Sequence, residues 1–272
     1  MELIARNCHA THEIPGHPLC PTCGAMADAV PSVAYVLLTS PFARSHGRRH
    51  GPIAGSDVLR MHLILLAELR TTMLRRLLIM VPTDSTKSVI PDYLVVSEEI
   101  ARLPFRATIE RVGNNSLGSY GMYFEAFSRT CHERHDYYVF SEDDYVPLRS
   151  HFDASLVRMY VETFGKVGRG LLAGVLQGRP VESTSKYPMH AESSHVMSAR
   201  TIAHLFSRTY SGYVGWKGSI TARSFALLDA EAHVGHRKWG MGYYDRVQLS
   251  FGALMRDAAI PMRDWTSAFR TP

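Results

Sequence analysis

The sequence predicts an α/β fold: a mainly parallel central sheet with helices on both faces. From Val33 onward, short apolar runs alternate with longer segments of helical spacing. The apolar runs, such as Leu77 to Val81 (LLIMV), do not alternate with polar residues, which marks strands buried on both faces. Polar or acidic clusters follow each run, at Thr39-Ser40, TDSTKS, GNNS and SEDD, so they fall on one edge of a parallel sheet.

Ser32 to Thr39 (SVAYVLLT) reads as the first strand. A Gly- and Arg-rich loop runs to Gly55, and Ser56 is the expected cap of a helix carrying Val58, Leu59, His62, Leu63, Leu66 and Leu69 at helical spacing. Leu77 to Val81 is the second strand, stopped by Pro82, and part of Val89 to Ala101 is helical. Arg106 to Val112 is the third strand, Gly113 to Gly118 a turn, and Ser119 to Arg134 a helix feeding the run YYVF at Tyr137. Beyond Pro147 the pattern predicts a helix over Phe152 to Phe164, a strand over Leu171 to Gln177, and a polar loop from Gly178 to Ser194. HVMSARTIAHLF (His195 to Phe206) and GSITARSFALL (Gly218 to Leu228) each read as a short strand entering a helix. A helix around Tyr244 to Arg256 and a tail through Trp265 close the chain.

With 272 residues, 46% hydrophobic and 20% charged, the chain can bury a full core, which excludes a mostly disordered protein. Its longest apolar stretches, His62 to Leu69 and Leu77 to Val81, fall short of the roughly 20 residues of a membrane span. The N-terminus has no basic stretch followed by an apolar one, so no secretory signal is expected. Three of the four cysteines precede residue 24, unlike a secreted disulfide framework, and a cytoplasmic location is the expectation. A net charge of +5 and fourteen histidines favour anionic partners such as nucleotide sugars, nucleic acid or anionic headgroups.

Residues 1–30 read as a separate extension. Cys8, His17, Cys20 and Cys23, the last two in CPTCG, are candidate ligands of a structural Zn²⁺; a flexible tail is the other reading.

The most informative segment is Tyr137 to Pro147, YYVFSEDDYVP, where a buried strand ends in Glu142, Asp143 and Asp144. Adjacent carboxylates repel one another unless a cation or hydrogen-bond donors offset the repulsion, and hard oxygen ligands suit Mg²⁺ or Mn²⁺. A divalent ion shared with a substrate diphosphate is one reading. A solvated acidic turn is the other.

With the strand-end clusters, FSEDDYVPLRSHF (Phe140 to Phe152) resembles the acid motif of inverting GT-A glycosyltransferases, in particular family-2-like enzymes and N-acetylglucosaminyltransferases. The resemblance implies a GT-A domain over 31–272, with a nucleotide-binding half at 31–148 and an acceptor-side half at 149–272. It implies that Asp144 holds Mn²⁺ or Mg²⁺ and that Glu142 and Asp143 contact the sugar and ribose. Asp84 would accept a hydrogen bond from the base of a UDP-sugar, Thr39 and Arg44 would grip the nucleotide, and Asn114 would line the ribose and diphosphate. Asp245, in KWGMGYYDRVQLSF, matches the general base, and Trp216, in GYVGWKG, a surface that stacks on the acceptor. The acceptor is open: glycan, lipid-linked, protein or nucleic acid. The motif departs from the family in its long basic loop from Ser40 to Gly55 and in TDS at Asp84. Competing readings are a sugar-phosphate nucleotidyltransferase, which also needs a metal, and a zinc-containing nucleic-acid-binding protein.

Overall fold

All six residues of Val33–Leu38 (β1) are buried, so this strand must be covered on both faces and paired on both edges. It pairs in parallel with Leu74–Pro82 (β4) on one side and Tyr137–Glu142 (β6) on the other. The computed structural model describes residues 30–39, 44–45, 52–53, 55–82, 96–112, 118–143, 145–177, 190–191, 194–205, 252, 255 and 258–265. Its other strands are Arg44–Ser45 (β2), Pro52–Ile53 (β3), Arg106–Val112 (β5), Leu171–Ala173 (β7), Leu176–Gln177 (β8), His190–Ala191 (β9), His195–Ser198 (β10) and Met262–Asp264 (β11). A seven-stranded sheet runs in the order β5, β4, β1, β6, β10, β7, β11. β10 is antiparallel to both neighbours and every other pair is parallel. The fold class is therefore α/β with a mainly parallel sheet.

The helices among the described residues include Gly55–Glu68 (α1), Ser97–Ala101 (α2), Gly118–Thr130 (α3) and Phe152–Phe164 (α4). The two-residue period of β1 sorts them onto two faces. Val33, Tyr35 and Leu37 pack with Leu59, Leu63 and Leu66 of α1 and with Val157 and Tyr160 of α4. Ala34, Val36 and Leu38 pack with Tyr123, Phe124 and Phe127 of α3 and with Ile202 and Leu205. The larger aliphatic and phenyl side chains among these contribute about 1.5–3 kcal/mol each when fully buried, so neither face is dispensable.

Several expectations are corrected. The helix at 118–130 ends in a tight turn at Cys131–Glu133, where Arg134 takes a left-handed conformation (φ 57°), short of the expected Arg134 end. The run Leu171 to Gln177 is two strands in different sheets, broken at Gly174. A Cβ on Gly174 would stand 2.8 Å from Cζ2 of Trp265, so the indole packed there favours glycine at the break. The expected tail contains β11, which pairs with β7. Helix α1 begins at Gly55, which places Ser56 inside its first turn instead of at the cap. Cys131, in the tight turn after α3, is buried. Among the described residues no helix is long and apolar enough to cross a membrane.

One connection shapes the face beside β6. After Asp143 at the carboxyl edge, the chain returns to the opposite edge, where the His151 amide donates to the Arg70 carbonyl at 2.6 Å. Asp153, in the first turn of α4, then accepts three backbone N–H groups through Oδ2: Thr72 at 2.8 Å, Met73 at 2.5 Å and Leu74 at 2.8 Å. These amides open β4, so a single carboxylate ties α4 to the start of a central strand.

Candidate functional site

The strand order reverses at β1: β4 and β5 lie to one side of it, β6 to the other. The helix after β1 and the helix before β6 occupy opposite faces of the sheet. The carboxyl ends of β1 and β6 lie side by side here, on the edge at which parallel sheets take their ligands.

Thr39 and Asp143 meet at that point. Thr39 follows the last residue of β1, and its Oγ1 donates to Oδ2 of Asp143 at 2.6 Å. The Asp143 amide donates to the Leu38 carbonyl at 2.9 Å, and that of Thr39 to the Met80 carbonyl at 3.1 Å. Asp143 is 0% exposed and Thr39 3%. The three acids therefore do not emerge together as the apolar run alone suggests. Glu142 still pairs with Leu38 in the ladder and is half-buried, while Asp143 turns inward.

A second layer holds this turn from behind. His62 of α1 bonds through Nδ1 to the Asp143 carbonyl oxygen at 3.0 Å, and through Nε2 to the Tyr35 hydroxyl at 3.1 Å. A carbonyl only accepts, so Nδ1 carries the proton, Nε2 accepts, and the Tyr35 hydroxyl is the donor. Burial pushes the Tyr35 phenol well above its usual range, with the Asp143 charge adding to the effect and Ser141 opposing it. Tyr35 thus stays protonated and keeps His62 in one tautomer. Ser141 closes the turn: its one hydroxyl proton is shared between the carbonyls of Glu142 and Tyr145, each at 3.1 Å.

Of the residues the sequence singles out, Thr39, Glu142 and Asp143 are brought together here. Arg44 lies on β2, within a two-stranded hairpin. Asp84, Asn114, Asp144, Trp216 and Asp245 lie outside the described residues, as do Cys8, His17, Cys20 and Cys23. Among the described residues no group of three His, Cys, Asp or Glu side chains could hold a metal ion. The Asp143 carboxylate is turned in to Thr39, and Glu142 is the neighbouring described acid. Sequence reasoning missed His62 and Tyr35. Its signal was a histidine on the apolar stripe of α1, read there as one more core position.

No protein-family model matches the chain, and no curated relative matches it. Among solved structures the chain is similar to a cytidylyltransferase from Leptospira borgpetersenii serovar Hardjo-bovis (strain JB197), at 13% identity and a TM-score of 0.40. That match covers 65% of this chain and spans 64% of the other. The chain is also similar to the 4-diphosphocytidyl-2C-methyl-D-erythritol synthase of Anaerococcus prevotii DSM 20548, at 8% identity and a TM-score of 0.40, over 67% of this chain and 78% of that one. Likeness at this level assigns no activity.

Proposed function

We propose that the chain is a metal-dependent GT-A glycosyltransferase that takes its sugar from a nucleotide-diphosphate sugar, a UDP-sugar first among them. The observation that supports this reading is the Thr39–Asp143 junction at the reversal of strand order, because open parallel sheets take their ligands outside the carboxyl ends of their strands. Glu142 and Asp143 of FSEDDYVP lie at this junction. Asp143 is held there by Thr39 and, through its main chain, by His62.

In this reading Asp144 is the metal ligand, Glu142 faces the sugar and ribose, Asp84 reads the base, Arg44 and Asn114 line the nucleotide, and Thr39, its hydroxyl held by Asp143, supports that edge from beneath. The metal, when bound, neutralises charge on the departing diphosphate. Asp245 takes the proton of the acceptor hydroxyl as its oxygen bonds to C1 and the C1–O bond to the diphosphate breaks, which inverts the anomeric centre. Trp216 stacks against the acceptor.

The second reading is a sugar-phosphate nucleotidyltransferase; one of the two solved structures is named a cytidylyltransferase. There a sugar phosphate attacks the α-phosphorus of a nucleoside triphosphate and pyrophosphate leaves. One experiment separates the two. Calorimetric titration with UDP-, GDP- and TDP-sugars, with and without Mn²⁺, is paired with an assay of pyrophosphate release from CTP or UTP plus sugar 1-phosphates. Mn²⁺-dependent binding of a nucleotide sugar, lost in Asp144→Asn, is the expected result. Pyrophosphate release without nucleotide-sugar binding would replace the first reading by the second.

A further inference from the structure

The face of the sheet covered by α1 and α4 holds a cavity of about 710 Å³, within the roughly 300–1,000 Å³ that encloses a small organic ligand. Its origin is the path of residues 145–149, which return across this face from one sheet edge to the other and stand off from α4. Phe152, Leu156 and Met159 of α4 form an apolar wall, and Trp265, seated over Gly174, closes one end. Arg149 and Arg158 stand exposed at the rim and make no ion pair among the described residues, against one rim carboxylate, Glu162. An apolar interior under an excess of guanidinium suits one kind of guest.

We propose that this cavity binds a small anionic amphiphile, with a ring or alkyl body against α4 and Trp265 and one carboxylate, sulfonate or phosphate at Arg149 and Arg158. A neutral apolar molecule would fill the interior but forgo the guanidiniums, which bind oxyanions through paired N–H donors. The proposal does not depend on the transferase reading. The cavity does adjoin the candidate site, because Tyr35 contributes to its lining and the segment after Asp144 forms one wall.

The test uses the full chain and the anionic fluorophore 1-anilinonaphthalene-8-sulfonate, displaced in parallel by decanoate and by decanol. The wild type is expected to bind the fluorophore saturably and to prefer decanoate over decanol by about tenfold. Arg149→Gln with Arg158→Gln should erase that preference while decanol displaces as before. Leu156→Trp, which fills the cavity, should abolish fluorophore binding, with far-UV circular dichroism and thermal unfolding confirming the fold. Equal displacement by decanoate and decanol in the wild type would overturn the proposal. So would a folded Leu156→Trp protein that binds as the wild type does. If Leu156→Trp does not fold, the arginine variant decides alone: a preference it retains refutes the role of the rim.

Discussion

Replacing Thr39 by valine keeps the volume and removes one hydroxyl, which isolates the bond on which the candidate site turns. In the native protein that hydroxyl donates at 2.6 Å to the Asp143 carboxylate, with both residues almost wholly buried. A hydrogen bond to a charged group contributes about 1.5–3 kcal/mol, and water has little access to take the place of the lost donor. For a chain of this size each kcal/mol lowers Tm by roughly 2–4 °C, so Thr39→Val should melt about 3 to 12 °C below wild type. Thr39→Ser retains the donor and should recover most of the loss. A double-mutant cycle with Asp143→Ala, followed by urea unfolding, measures the pair directly, because each single variant removes the same contact. A coupling of about 1.5–3 kcal/mol is expected. A value under about 0.5 kcal/mol, within the scatter of independent sites, would refute the idea that Thr39 holds the acid turn.

Asp153→Ala strips three backbone amides of their acceptor, one of them the buried Leu74 amide; it should cost about 2–4 kcal/mol in urea unfolding, and a loss under about 1 kcal/mol would mean water replaces the carboxylate. His195, stacked on Phe140 and 0% exposed, has its pKa pushed down to about 3 by burial. Its folded pKa lies below the unfolded value, so the unfolded chain alone binds that proton between about pH 6.5 and 3, and stability falls with falling pH by about 1.4 kcal/mol per unit. The stability of His195→Gln, followed from pH 7 to 4, should lack this component; a slope equal to that of wild type would count against it. Asp245→Asn should keep nucleotide-sugar affinity within a few-fold and slow transfer by roughly 10² to 10⁴, as measured by product formation. Retained anomeric configuration in the wild-type product would remove Asp245 from the base role.

What the sequence determined by itself was which side of each element faces the core. Periodicity records local exposure: the unbroken apolar run of β1, the stripe Leu59, Leu63, Leu66 on α1, and the ranges Arg106–Val112 and Phe152–Phe164 were all legible this way. The site was legible only as a set of strand ends holding Thr39, Glu142 and Asp143. Pairing was decided by the tertiary structure, because backbone N–H and C=O groups are the same in every strand and do not name their partners. That is why the antiparallel setting of β10 and the strand at Met262–Asp264, where only Met262 is buried, could not be read from periodicity. The same reason separates the polar residues by role. Asp153 reads as a charge at a helix start until three amides about 80 positions away converge on it. His62 and Tyr35 read as core positions until the fold sets one ring nitrogen on the Asp143 carbonyl and the other on the phenol. A buried polar group is specified by its partner, and the partner is a long-range fact.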